Sequence, residues 1–194
     1  MLQPIAVDPN ATPEALTDAL ADAQSIAIGF TQKIGAGEDK KVEFNFPAHA
    51  NLIKKLEKTF EIDLRDELAF FSATGKAGEI FEIPVASDQF AADRILLIGL
   101  GDETNLAIRQ AGAALGRKGR GKAVTIAALC VSNHAALKSF AISAQLGAYI
   151  WTQKTGPAQE IPLFLFATDK PEVIEDASVI ANAISQTRDL IHTP

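Results

Sequence analysis

A chain of 194 residues can bury one medium-sized core, with or without an appendage. Its 47% hydrophobic and 22% charged residues exclude a disordered or fibrous class, and no run approaches the roughly 20 apolar residues of a membrane-spanning helix. The net charge of −6 argues against general nucleic-acid binding, and the single cysteine, Cys130, excludes a disulfide framework and points to a reducing compartment. Met1 to Asp8 has neither the basic start nor the apolar stretch of a signal peptide, so a soluble, cytoplasmic protein is expected.

In chain order, Ile5 to Val7 reads as a short strand. Thr12-Pro13-Glu14 has the features of a helix start, a capping hydroxyl followed by proline and an acid, and Leu16, Ala19, Leu20 and Ala23 share one face. Ser25 to Phe30 is a second strand and Lys33 to Lys41 a polar loop. Val42, Phe44 and Phe46 then alternate like a half-buried edge strand. Pro47 opens a helix with Leu52, Ile53, Leu56 and Phe60 aligned. Leu68 to Ala73 and Glu79 to Val85 read as strands of a hairpin turning at Thr74 to Gly78.

The stretch Arg94-Ile-Leu-Leu-Ile-Gly-Leu-Gly101 has the unbroken apolar run of a strand buried on both faces, and we expect it to be the central strand. Its glycines allow a tight turn, and Thr104 or Asn105 can cap the helix that carries Ile108, Ala111, Gly112 and Leu115. After the loop Arg117 to Lys122 come a strand over Val124 to Val131 and a helix from about Asn133 to Thr152, with Leu137, Phe140, Ala141, Ala144, Ala148 and Trp151 on one face. A strand over Ile161 to Ala167 and a final helix from Asp169 toward Pro194 complete the chain. Strands alternating with helices predict an α/β fold, a mixed and mainly parallel sheet with helices on both faces.

Few residues offer chemistry. Gly99 and Gly101 supply the first two glycines of a dinucleotide fingerprint, but Thr104 stands in place of the third. The ribose-binding acid is also missing, because no Asp or Glu occurs from Thr104 to Gln159. Gly75-Lys76 is similar to the end of a phosphate loop, but Phe70 replaces the required glycine and Ala77 the magnesium-binding hydroxyl. His49, His134 and His192 lie in separate elements, with no partner at metal-ligand spacing. Asp63, Asp66 and Glu67 around Arg65 read as an ordinary helix-to-strand connection. The acid-free stretch carries +7, which leaves −13 for the remainder, and such asymmetry suits a surface that meets an acidic partner. Arg117-Lys-Gly-Arg-Gly-Lys122 is its densest part.

Three segments resemble the N-terminal domain of the leucyl (cytosol) aminopeptidase family, the di-metal M17 peptidases. Arg94 to Gly101 with Arg109-Gln-Ala-Gly-Ala-Ala-Leu115 is similar to that family's strand and helix. Gln145-Leu-Gly-Ala-Tyr149 is similar to its "G-x-x-L-G-x-Y" stretch, with Trp151 in place of the usual Phe. Thr187-Arg-Asp-Leu-Ile-His-Thr-Pro194 is similar to "A-R-D-L-V-N-x-P", with His192 in place of Asn. The resemblance implies a macro-domain-like three-layer αβα fold over residues 1–168. It also implies an interdomain helix and linker over 169–194, leading to a catalytic domain absent from this chain. The family's metal ligands and catalytic Arg lie beyond the linker, so no catalytic, cofactor-binding or metal-binding residue is assigned here.

What the resemblance implies for the parent enzyme is removal of N-terminal amino acids from peptides by two divalent ions, zinc or manganese. The implied partners are the chain's own catalytic domain and sister subunits of a hexamer, with peptide substrates bound by the absent domain; neither nucleic acid nor a membrane is an expected partner. This segment alone is expected to be inactive, with a role in assembly and active-site access. The alternative from another class is a macro-like module holding ADP-ribose near Gly99 to Asn105, and a third is DNA binding through Arg117 to Lys122.

Overall fold

A computed structural model describes residues 2–6, 18–35, 41–151 and 160–192. Seven strands form one sheet: β1 (Leu2–Ala6), β2 (Ser25–Ile34), β3 (Val42–Asn45), β4 (Ile80–Pro84), β5 (Arg94–Gly99), β6 (Thr125–Leu129) and β7 (Leu163–Thr168). The helices are α1 (Ala50–Thr59), α2 (Leu64–Phe70), α3 (Asn105–Gly119), α4 (His134–Ala148) and α5 (Pro171–His192). The strand order is β1-β7-β6-β2-β5-β4, with β3 pairing on the far end of β2. The pairs from β1 to β5 are parallel, while β4 on β5 and β3 on β2 are antiparallel. The sheet is therefore mixed and mainly parallel, as the alternation of elements predicts. Among the described residues no helix is long and apolar enough to cross a membrane.

The strand pattern explains the three layers. In β5 successive side chains point to opposite faces. Leu96 and Ile98 join Ile108, Leu115, Phe140 and Ile174 of α3, α4 and α5. Ile95 and Leu97 join Leu52, Leu56, Leu64 and Leu68 of α1 and α2. A strand covered by helices on both sides must be apolar at every position, so the unbroken run is accounted for.

Several expectations need correction. β5 is not central: β2 lies between it and β6, and β5 has only the edge strand β4 beyond it. Two-sided burial marks an interior strand but does not rank interior strands. The predicted strand Leu68–Ala73 is helix α2 followed by a turn. Asp63 caps it by accepting from the backbone N–H of Arg65 at 2.8 Å and of Asp66 at 3.2 Å, and Asp66 and Glu67 sit at the positive end of its dipole. Its buried residues, Leu64 and Leu68, are four apart, a helical spacing. The hairpin is absent as well, since β4 pairs with β5.

Smaller shifts have local causes. Lys33 and Ile34 extend β2 beyond the sheet body to pair with Glu43 and Val42 of β3. The helix after Pro47 starts at Ala50, because His49 precedes it in the left-handed region at φ 52°. α4 stops at Ala148, so Trp151 lies outside its face. The proposed cap at Thr12 to Glu14, Leu16 of that helix face, and Val7 of the first strand lie outside the described residues.

Candidate functional site

The glycine turn after β5 is occupied by the chain itself. A Cβ on Gly99 would fall 2.1 Å from the carbonyl oxygen of Lys76, so only glycine permits the segment Gly75 to Gly78 to cross there. Gly101 donates its N–H to the Gly75 carbonyl and Gly78 to the Gly99 carbonyl, both at 2.9 Å. The crossing segment is held by an internal anion. The Glu79 carboxylate accepts from the N–H groups of Gly75 at 2.9 Å and Thr74 at 3.0 Å. Donors that a bound phosphate would require at Gly75 are thus already used.

The neighbouring loops at the carboxyl ends of the strands are also self-satisfied. Thr104 Oγ1 donates to Asp102 at 2.8 Å and accepts from the N–H of Ala107, closing the start of α3. The Asn133 side chain accepts from the N–H groups of Ala135 and Ala136, each at 3.1 Å, at the start of α4. His134 Nε2 lies 2.6 Å from the Asp169 carboxylate, and this contact lowers the Asp169 pKa. Cys130 is buried at the end of β6, where desolvation raises its thiol far above the ordinary value and keeps it a protonated core group.

The described residues do not fit a two-metal centre. Among the described residues no three His, Cys, Asp or Glu side chains stand together in an arrangement that could hold an ion.

The helix layer brings the motif segments together. α3 and α4 approach until a Cβ on Gly116 would lie 2.1 Å from the Ala144 carbonyl oxygen and one on Gly147 2.5 Å from that of Ala113. Arg120 reaches across this seam and donates to the Gly147 carbonyl from Nε at 3.1 Å and Nη2 at 2.7 Å, satisfying an open carbonyl at the end of α4. Tyr149, the next turn of chain, donates its hydroxyl to Asp189 of α5 at 2.5 Å. The Arg188 guanidinium stacks over the Tyr149 ring, 5.6 Å from its centroid. Segments about 40 residues apart in sequence, Gln145 to Tyr149 and Thr187 to Pro194, therefore meet through Tyr149, Arg188 and Asp189.

Beside this junction lies an open groove of about 660 Å³ whose lining includes Arg109, Arg117, Arg120, Arg188, Leu106 and Leu146. The basic run Arg117 to Lys122 does not act as one patch. Lys118 turns away to pair with Glu82, which also pairs with Arg94, and hydrogen bonds from Lys118 and then Arg94 lower the Glu82 pKa. Arg120 caps α4, and Arg117 faces the groove. Arg109 belongs to the acid-free stretch that the sequence marks as suited to an acidic partner, whereas Arg188 stands out in the sequence only within the family-like segment.

A family profile described as "Cytosol aminopeptidase family, N-terminal domain" matches residues 37–153. Among solved structures, the bottromycin maturation enzyme BotP matches at 18% identity and a TM-score of 0.60, covering 89% of this chain and 33% of its own. The same enzyme in complex with Mn matches at 17% identity and a TM-score of 0.59, over 89% and 32% of the two chains. A mutant of tomato leucine aminopeptidase matches at 15% identity and a TM-score of 0.64, over 100% of this chain and 38% of its own. At these identities the likeness is one of fold. The chain spans about a third of the length of these structures. No curated protein matches it in sequence.

Proposed function

The chain belongs to the cytosol aminopeptidase family as its N-terminal domain, and on that footing we propose that it is the non-catalytic part of a di-metal aminopeptidase. The parent enzyme removes N-terminal amino acids from peptides in the cytosol. Its chemistry resides in a catalytic domain beyond this chain, where two divalent ions, zinc or manganese, polarise the peptide carbonyl and activate water. Residues 1–168 form the macro-like body, and 169–194 form the helix and linker toward that domain. The domain assists assembly with sister subunits into a hexamer and restricts access to the active site.

The observation that carries this proposal is the junction of Tyr149 with Arg188 and Asp189. It anchors the last turns of α5 to the helix layer. Rigid presentation of a linker is a useful property for a domain that positions another one.

The test is hydrolysis of Leu-p-nitroanilide by this chain with added manganese or zinc. We expect nothing above background, and robust turnover would overturn the non-catalytic assignment. The reading frame past Pro194 supplies a second check. A continuation without a set of Lys, Asp and Glu metal ligands would remove the aminopeptidase parent.

A further inference from the structure

We propose that the free edge of β3, with the groove beside it, takes up an extended peptide segment of a partner protein as an added strand of the sheet.

The ladder itself leaves this edge open. Gly35 donates to the Lys41 carbonyl at 2.9 Å. Bonded pairs alternate in an antiparallel ladder, so Lys33 with Glu43 and Thr31 with Asn45 are the next ones. Val42 and Phe44 therefore turn their N–H and C=O groups away from β2. No second strand pairs with β3, and among the described residues no hydrogen bond reaches those four groups. They recur every two residues, about 7 Å apart, a spacing that an extended backbone matches.

The other edges of the sheet are guarded. Pro4 stands in the middle of β1 and offers no N–H. β4 ends on Pro84 and holds Glu82 in ion pairs with Arg94 and Lys118. β3, Val-Glu-Phe-Asn, contains no proline.

The groove selects the side chains. It has a volume of about 800 Å³ and runs between Lys41 to Phe44 and the α2 residues Arg65, Asp66 and Ala69. Its surface is mainly apolar, and its charges cancel, Lys41 and Arg65 against Glu43 and Asp66. Phe44 faces the α2 layer, packed edge-on against Phe30 at 6.0 Å. Val42 remains 46% exposed, and Ile34 across from it 62%. Residues paired across two strands send their side chains to the same face. Peptide residues bonded to Val42 and Phe44 therefore aim their side chains into the groove. The same residues make the ladder bonds and cover the apolar surface, so the peptide that fits carries apolar side chains at alternate positions.

A second copy of β3 fits less well. The two-fold that would bond Val42 to Phe44 of the copy sets the two Glu43 residues directly opposite each other, and like charges so placed repel.

The test is fluorescence anisotropy of a labelled Ser-Val-Thr-Val-Thr-Val-Ser peptide titrated with the whole chain. We expect saturable binding, weakened about tenfold or more when the three valine amides are N-methylated, because the ladder bonds are lost. N-methylation of the two threonine amides, which face away from β3, should leave it within about twofold. Serine in place of each valine should weaken it about tenfold or more, through the apolar contacts removed. V42P places a proline at the first residue of β3, where only the outward N–H is lost, and A69R fills the groove from an exposed position of α2. Each should weaken binding about tenfold with an unchanged circular dichroism spectrum, and the methylated peptides test the ladder without altering the chain. Absence of saturable binding, equal loss with both methylation patterns, or undiminished binding to A69R would overturn the proposal. So would self-association of the chain that the peptide does not reverse.

Discussion

The hydroxyl of Tyr149 donates to the carboxylate of Asp189 at 2.5 Å, so the residue that ends α4 holds the last turns of α5. Burial, then the hydrogen bond to Asp189, raises the Tyr149 pKa, and the phenol stays a donor at neutral pH. Y149F removes this donor and leaves the ring beneath Arg188. The expected result is faster amide exchange in residues 185–192, with the global unfolding midpoint unchanged. Unchanged protection in the Phe variant would mean that the junction does not hold the helix end.

The seam between α3 and α4 is a packing requirement and makes a sharp stability prediction. In an exposed helix G116A would gain about 1 kcal/mol from propensity. Here the new methyl meets the Ala144 carbonyl at 2.1 Å, and overpacking of this kind costs about 1–3 kcal/mol. Backbone cannot yield as a flexible side chain can, so the net effect should be destabilising. Urea denaturation reads it, and a stabilised G116A would show that the helices are farther apart than described.

His49 gives a pH dependence with a definite sign. Burial lowers its pKa below the ordinary 6.5, and its Nε2 is buried without a hydrogen-bond partner. The folded state therefore favours the neutral ring. Its contribution is fully present above pH 6.5 and is lost as pH falls from 6.5 through the lower folded value, because the unfolded chain takes up the proton first. H49N keeps a residue that tolerates φ 52° and removes the titration. Thermal midpoints between pH 7.5 and 5 should fall less steeply for H49N than for the parent, and parallel profiles would count against this role.

The closed turn at Gly99 predicts that the fold does not serve ADP-ribose at that position. With the Lys76 carbonyl over Gly99 and the Glu79 carboxylate on the N–H groups of Thr74 and Gly75, calorimetric titration should show no heat of binding. Micromolar affinity would require the segment 74–78 to leave its place and would revive the binding-module alternative.

Most of the layer architecture was readable from local pattern. Arg94 to Leu100 announced a strand buried on both faces, and Asn133 and Thr104 announced helix starts, because capping and apolar periodicity act within a few residues. Leu68 to Ala73 was misread as a strand because helix α2, seven residues from Leu64 to Phe70, holds too few turns for a helical period to stand out from alternation. Its decisive feature was Asp63 as a cap. The basic groove could not be read at all beyond its charge. Arg117 and Arg120 are three apart in sequence, yet one faces open solvent and the other is spent on Gly147, a residue of another helix.

By itself the sequence determined the α/β class, the absence of a dinucleotide fingerprint and the likeness to the aminopeptidase N-terminal domain, all properties of spacing along the chain. Only the tertiary structure decided why the family-like motifs contain their small residues and their Tyr, Arg and Asp. Gly99 accommodates the crossing of Lys76, Gly116 and Gly147 allow two helices to touch, and Tyr149 meets Asp189 across 40 residues. Each of these is a contact between backbones or side chains distant in sequence, and no local pattern encodes which distant atom will occupy the space a missing side chain leaves.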